Sequence, residues 1–187
     1  MRKKIMLSLL VTVLCSGGFI TFFTMKQYYL DNHKSVIQSQ LVEWINHDNE
    51  EDSFTVLDVY QLGKSNSYLV LFETKDRNSI GYAHYHEGWN GKLKPINYKF
   101  GTDKLIFEEV NTNEGKYGVV LGYNPNSIID HIIAPIVDES ISFHFDVSND
   151  EWFLKFEKLP SEIKHRVYAN LKAYDRDNEI LEYTALY

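Results

Sequence analysis

The sequence predicts a mainly β protein, an antiparallel sandwich or a set of curved sheets, with a transmembrane helix at its N-terminus and one juxtamembrane amphipathic helix. Three observations carry this. About eleven short apolar runs recur at spacings near ten residues, separated by Gly, Asn and Asp turn signals. Thirteen Tyr, eleven Phe and three Trp give an aromatic load of the kind sheets favour. A single long run, Ile5 to Met25, carries no charged residue.

That run comes first. At about 1.5 Å per residue, roughly twenty apolar residues cross the ~30 Å hydrocarbon core of a bilayer. Arg2, Lys3 and Lys4 crowd one end, whereas Lys26 stands alone near the other. Basic residues stay on the cytoplasmic side, so the expected topology is single-pass in the plasma membrane, N-terminus inside and C-terminal domain outside. Two other readings remain. Ser16-Gly17-Gly18 could close a cleaved signal, giving a secreted protein, but Phe19-Ile20-Thr21-Phe22-Phe23 prolongs the run as an uncleaved span does. Cys15 could be a lipidation site, but Val13-Leu14 precedes it where a small residue is needed.

Residues 26–48 follow as the juxtamembrane helix. Leu30, Ile37, Leu41, Trp44 and Ile45 fall on one apolar stripe, and no Pro or Gly interrupts Tyr28–His47. The acidic stretch Asp48-Asn49-Glu50-Glu51-Asp52 ends it. The β-rich domain then covers 53–187. Strands are expected at Phe54–Leu62, Tyr68–Thr74, Ile80–His86, Leu93–Phe100, Leu105–Val110 and Tyr117–Tyr123. Gly63-Lys64-Ser65-Asn66, Lys75-Asp76-Arg77-Asn78 and Asn111 to Gly115 read as connecting turns. Asn90-Gly91 is the strongest turn signal and predicts a type I′ hairpin, while Pro95 marks its return strand as an edge. Asn124-Pro125-Asn126 punctuates the chain and divides the domain into two halves near 124–127. Beyond it, strands are expected at Ile128–Pro135, Ser140–Val147, Glu151–Glu157, Val167–Ala173 and Ile180–Tyr183.

Three stretches together resemble a known group. Gly81-Tyr82-Ala83 with Gly88-Trp89-Asn90-Gly91-Lys92-Leu93-Lys94 is similar to a GYA…GxNGKYK passage. Gly122-Tyr123-Asn124-Pro125 with Ile128-Ile129-Asp130-His131-Ile132 is similar to GxNPxxxIDHI. Ala173-Tyr174-Asp175-Arg176-Asp177-Asn178-Glu179-Ile180 looks like a terminal AYDxxGxxI hairpin. Their order behind an N-terminal anchor and helix resembles uncharacterised small membrane-anchored extracytoplasmic proteins of Bacillus-like Firmicutes. The chain departs at Leu93, where the pattern has Tyr, and at Asn178, where it has a turn glycine. The resemblance covers most of the domain and implies a topology; its motifs are turn chemistry, and it brings no activity or site residues.

Composition narrows function. Without the three basic residues of the N-terminal tip, sixteen Lys and Arg face twenty-six Asp and Glu, a net charge of −10 outside. Such a surface disfavours nucleic acid and anionic lipid, which both need basic patches. The only cysteine lies in the apolar run, so the domain has no disulfide or thiol chemistry. No glycine-rich phosphate loop occurs, and no cofactor is called for.

Candidate site residues are few. His84 and His86 sit two apart on a predicted strand, project from one face, and form a weak candidate metal pair. His131, His144 or Asp146 could supply a third ligand; the plainer reading is a half-exposed polar face beside Tyr82. Ser142, His144 and Asp146 share a strand face but point out in parallel, unlike a catalytic triad. Asp175 to Glu179 resembles a calcium loop only loosely and reads better as a turn. Trp44 and Trp152 are expected in the core. Trp89, at a hairpin tip, is the candidate contact for an envelope protein or glycan. The sequence thus points to a non-enzymatic, membrane-tethered binding or regulatory module of the bacterial envelope; the alternative is a metal-binding envelope hydrolase using His84 and His86.

Overall fold

The computed structural model describes residues 21, 26–46, 54–74 and 79–181. The expected membrane span, the acidic stretch 47–53, the turn 75–78 and the end of the last strand lie outside these residues. Among the described residues no helix is long and apolar enough to cross a membrane.

The protein is mainly antiparallel β. One helix, α1 (Lys34–Asn46), precedes ten strands: β1 (Phe54–Gln61), β2 (Ser67–Thr74), β3 (Ser79–Glu87), β4 (Leu93–Gly101), β5 (Leu105–Thr112), β6 (Gly115–Tyr123), β7 (His131–Pro135), β8 (Ser142–Asp146), β9 (Trp152–Lys158) and β10 (Lys172–Tyr174). They form three sheets: β1-β2-β3-β4, β5-β6-β9 and β10-β7-β8. Alternation along each strand sends side chains to both faces, so the sheets stack on their apolar faces. On one face of the four-stranded sheet, Val56, Tyr68, Val70, Phe72, Ala83 and Tyr85 pack with Ile37, Leu41 and Ile45 of α1. On its other face, Leu69, Leu71 and Tyr82 meet Tyr117, Val119, Leu121 and Leu154 of the β5-β6-β9 sheet. That sheet turns its far side, with Leu105, Val120 and Phe153, onto Ile132, Ala134, Phe143 and Phe145 of the third. The order is helix, sheet, sheet, sheet.

The middle sheet is therefore covered twice. Val119, Val120 and Leu121 are all fully buried, the continuous apolar pattern of a strand with no solvent face. Gly118 makes the second contact close enough: a Cβ there would stand 2.7 Å from a ring carbon of Phe143.

The helix begins later than the stripe suggests. Residues 28–33 leave helical geometry, and Leu30 forms an isolated bridge with Leu93. Leu30 is buried by that bridge rather than by the helical stripe. From Lys34 onward the stripe holds: Ile37 and Leu41 are fully buried and Ile45 nearly so. Each such side chain contributes about 1.5–3 kcal/mol of gross burial. The helix also closes an open sheet edge. Gln38 donates to the Phe54 carbonyl and accepts from the Val56 amide, both at 2.6 Å, as a neighbouring strand would.

Two turns depart from expectation. At Gly88–Lys92 only Gly91 has positive φ, at 69°, and the Gly91 amide donates to the Gly88 carbonyl. Trp89 and Asn90 are thus the centre of an ordinary turn closed by a left-handed glycine, not a type I′ pair. The Asn90 side chain is engaged elsewhere: its amide donates to the Tyr28 carbonyl and its oxygen accepts from the Lys92 amide. Pro95 does lie in an edge strand, beside a register shift opposite His84 and Tyr85. Asn124 is not a linker residue. Its side chain is fully buried, donates to the carbonyls of Ile129 and Val147, and accepts from the Ile129 amide. A sheet also crosses the division there, since β9 pairs with Tyr117–Tyr123 of β6.

The chain's last turns are simpler. Asp175 accepts from the amides of Asp177 and Glu179, and Asn178 takes positive φ, so this segment is a turn as expected. Val167–Ala173 is strand only at its end, with Ala169 contributing one further bridge to Ile136. Ile180 bridges Tyr174.

Candidate functional site

β3 carries the site because its alternation is strict. Tyr85 points to the helix, so His84 and His86 point to the middle sheet, on the face shared with Tyr82. The pairing with β2 places Ser67 opposite His86 and Leu69 opposite His84. The rings of His84 and His86 stand edge to face, centroids 4.8 Å apart. His84 is only 6% exposed, so the half-exposed reading of the pair is corrected for that residue. The register opposite β3 explains it: a polar side chain here is roofed by a second sheet rather than by water.

Four buried polar atoms at this end of the interface lack any hydrogen-bond partner: Asn66 Oδ1, Ser67 Oγ, His84 Nε2 and His86 Nε2. Buried polar atoms are nearly always paired, so these four mark the place where the fold's own groups leave hydrogen-bonding capacity unused. The backbone around them is well held. Ser65 Oγ accepts the Ser67 amide at 3.1 Å, and the Asn66 amide donates to Asn113 Oδ1 at 2.9 Å. The β1–β2 loop is thereby tied to the β5–β6 turn.

Burial sets the protonation of the pair. It pushes His84 down to about 4, with the neighbouring His86 adding in the same direction. His86 is also lowered, first by burial and then by the Lys94 ammonium. Both imidazoles are thus neutral near pH 7 and can offer a lone pair. Further along the same face Tyr82 is raised to about 12, by burial and then by the Glu108 carboxylate. Glu108 itself is buried and paired with Lys99.

The residues named from sequence as third ligands do not join the pair. His131 stacks flat on Tyr174 at 4.9 Å and lies 3.0 Å from Asp130, in the third sheet. His144 and Asp146 point outward from β8, again in that sheet. Among the described residues no group of three or more His, Cys, Asp or Glu is arranged to hold a metal. The Ser142-His144-Asp146 triad is likewise unformed: Asp146 accepts from the amide and hydroxyl of Ser148, which hold its carboxyl below the usual range.

Trp44 and Trp152, expected in the core, are half-buried at the margins of two core clusters. Trp44 meets Tyr85 and Tyr98 edge-on, and Trp152 stacks on Tyr123 at 4.1 Å. Trp89 is 70% exposed at its hairpin tip. Sequence alone could not find Ser67 and Asn66, because nothing local says which strand faces His86. No protein-family model, curated protein or solved structure matches this chain. The site's own atoms are what speak for function.

Proposed function

We propose that this chain is a membrane-tethered, extracytoplasmic binding or regulatory module of the bacterial cell envelope, acting by contact rather than catalysis. The observation that carries the reading is the attachment. The charge-free run Ile5–Met25 leads within a few residues to Leu30, which is bridged to the β4 edge of a three-sheet body. The tip Arg2-Lys3-Lys4 supports an N-terminus inside and the body outside. A body so closely coupled to a span holds a fixed place at the membrane face, suited to meeting an envelope partner. Crosslinking at the surface of intact cells should recover a discrete complex. Recovery of the chain alone, under several growth conditions, would count against this role.

A second reading is favoured by the two unpartnered Nε2 atoms. In it His84 and His86 hold a transition-metal ion, both neutral and two apart on one strand face. The full chain, purified without a histidine tag, should then carry near-stoichiometric metal on elemental analysis. A variant with His84→Ala and His86→Ala should lose it. A metal-free chain with unchanged fold would remove this reading and leave the first.

A further inference from the structure

The hairpin tip and the chain's entry point lie together, although the sequence separates them by some sixty residues. The Asn90 amide donates to the Tyr28 carbonyl at 3.1 Å, and Leu30 bridges Leu93. Lys92 pairs with Asp31, and Lys94 donates to Gln27 while standing 6.0 Å from the centre of the Tyr28 ring. Tyr28 packs so closely on Gly88 that a Cβ there would fall 2.7 Å from its ring. Two aromatic side chains are left outward at this place, Trp89 at 70% exposure and Tyr29 at 57%.

We propose that this end of the domain is a footing on the phospholipid interface of the membrane the chain itself enters, with Trp89 seated among the headgroups. The inference rests on the tethered reading and deepens it. If Met25 ends the apolar run at the hydrocarbon boundary, Tyr28 follows three residues later, within about 11 Å. The headgroup layer is itself about 5–8 Å deep, so Tyr28 and the tip bonded to it stand in that layer or within a few ångström of its outer edge. Trp and Tyr favour this zone because an apolar ring and a polar handle are both satisfied there. Charge plays little part. Lys92 is matched by Asp31, and the domain's net −10 keeps the rest of its surface off an anionic bilayer.

The test uses the full chain reconstituted in vesicles of phosphatidylcholine and phosphatidylglycerol, with and without lipids carrying a nitroxide near the headgroup. Trp89→Phe identifies the signal, since Trp44 and Trp152 are packed within the body. The labelled lipid should quench the Trp89 share of emission at least two-fold, with little change on adding salt. Aqueous iodide should quench it weakly. Flotation with the vesicles reports the anchor separately. If the chain fails to float, the tethered reading and the footing both fall. If it floats and Trp89 is quenched by iodide but not by lipid, the footing alone is overturned. If neither agent reaches Trp89, a protein contact covers it, and the footing is again overturned.

Discussion

Two buried polar places in this molecule have opposite fates. At Asn124 one side chain is sealed in the core and every one of its polar atoms is used: two donors to the Ile129 and Val147 carbonyls, one acceptor from the Ile129 amide. At His84 and Ser67, side chains of similar burial, and at the half-buried His86 beside them, Nε2, Oγ and Nε2 are left without partners. Burial alone therefore does not tell a structural polar group from a functional one. The count of satisfied atoms separates the two places by energy: an unmet buried atom costs about 1–3 kcal/mol while a met one contributes a net ~1. Asn124 closes the fold. The histidine pair costs it stability.

The contrast can be broken by experiment, and the largest effect belongs to Asn124. Replacing it with Ala strands three backbone groups, so stability should fall by at least about 3 kcal/mol. For a chain of this size that is roughly 6–12 °C in Tm, read by thermal unfolding in mild detergent. A loss under 1 kcal/mol would show that water replaces the side chain, and the contrast would fail.

Next is pH. His84 titrates near 4 when folded against 6.5 when free, so between those values the unfolded chain binds the extra proton. Its contribution is complete above about pH 6.5, declines as pH falls, and is gone below about 4, a span of roughly 3 kcal/mol. His86, lowered too, adds in the same sense. Carboxylates titrate in both proteins, so the difference between wild type and His84→Leu isolates the histidine. Parallel stability curves for the two would mean that His84 is hydrated.

A smaller effect sharpens the point. At pH 7.5 His84→Leu should be neutral or stabilising by about 1 kcal/mol, because an apolar side chain leaves no atom unmet. Denaturation by urea gives the sign directly. A cost above about 2 kcal/mol would reveal an internal partner for the ring. Least of all, Trp89→Ala should move stability by under about 0.5 kcal/mol, as for an exposed tip with no structural task.

The same contrast explains what the sequence could disclose. Ile37, Leu41 and Ile45 were legible because a helix repeats its face every few residues, and the alternation of Ser142 to Asp146 was legible for the same local reason. Leu30 fitted the stripe by spacing yet belongs to a bridge, since its partner Leu93 is remote in sequence. Asn124 looked like a turn because Asn-Pro-Asn is turn chemistry wherever it occurs. Its role is completed by Val147, twenty-three residues on and just past the end of β8. His84 and His86 were visible as a pair, but their burial follows from the stacking of two sheets that no local pattern announces. The unbroken runs Tyr68–Phe72 and Val119–Leu121 are the available signs that some strands have no wet face.

The Leu30–Leu93 bridge also has a mechanical meaning. Load arriving along the backbone from residue 26 meets this bridge and the Asn90–Tyr28 bond before it reaches α1 or any sheet. A single bridge peels far more readily than a sheet shears. Its release would pay out residues 28–33, about 20 Å of contour, while the stacked body stays whole. Pulling one molecule from its N-terminus should show that short, reversible step ahead of unfolding; an unfolding trace without it would mean the bridge bears no load. Tethered as proposed, the domain would then behave as a weight on a short sprung leash, close to its support when slack and up to about 20 Å farther off under tension.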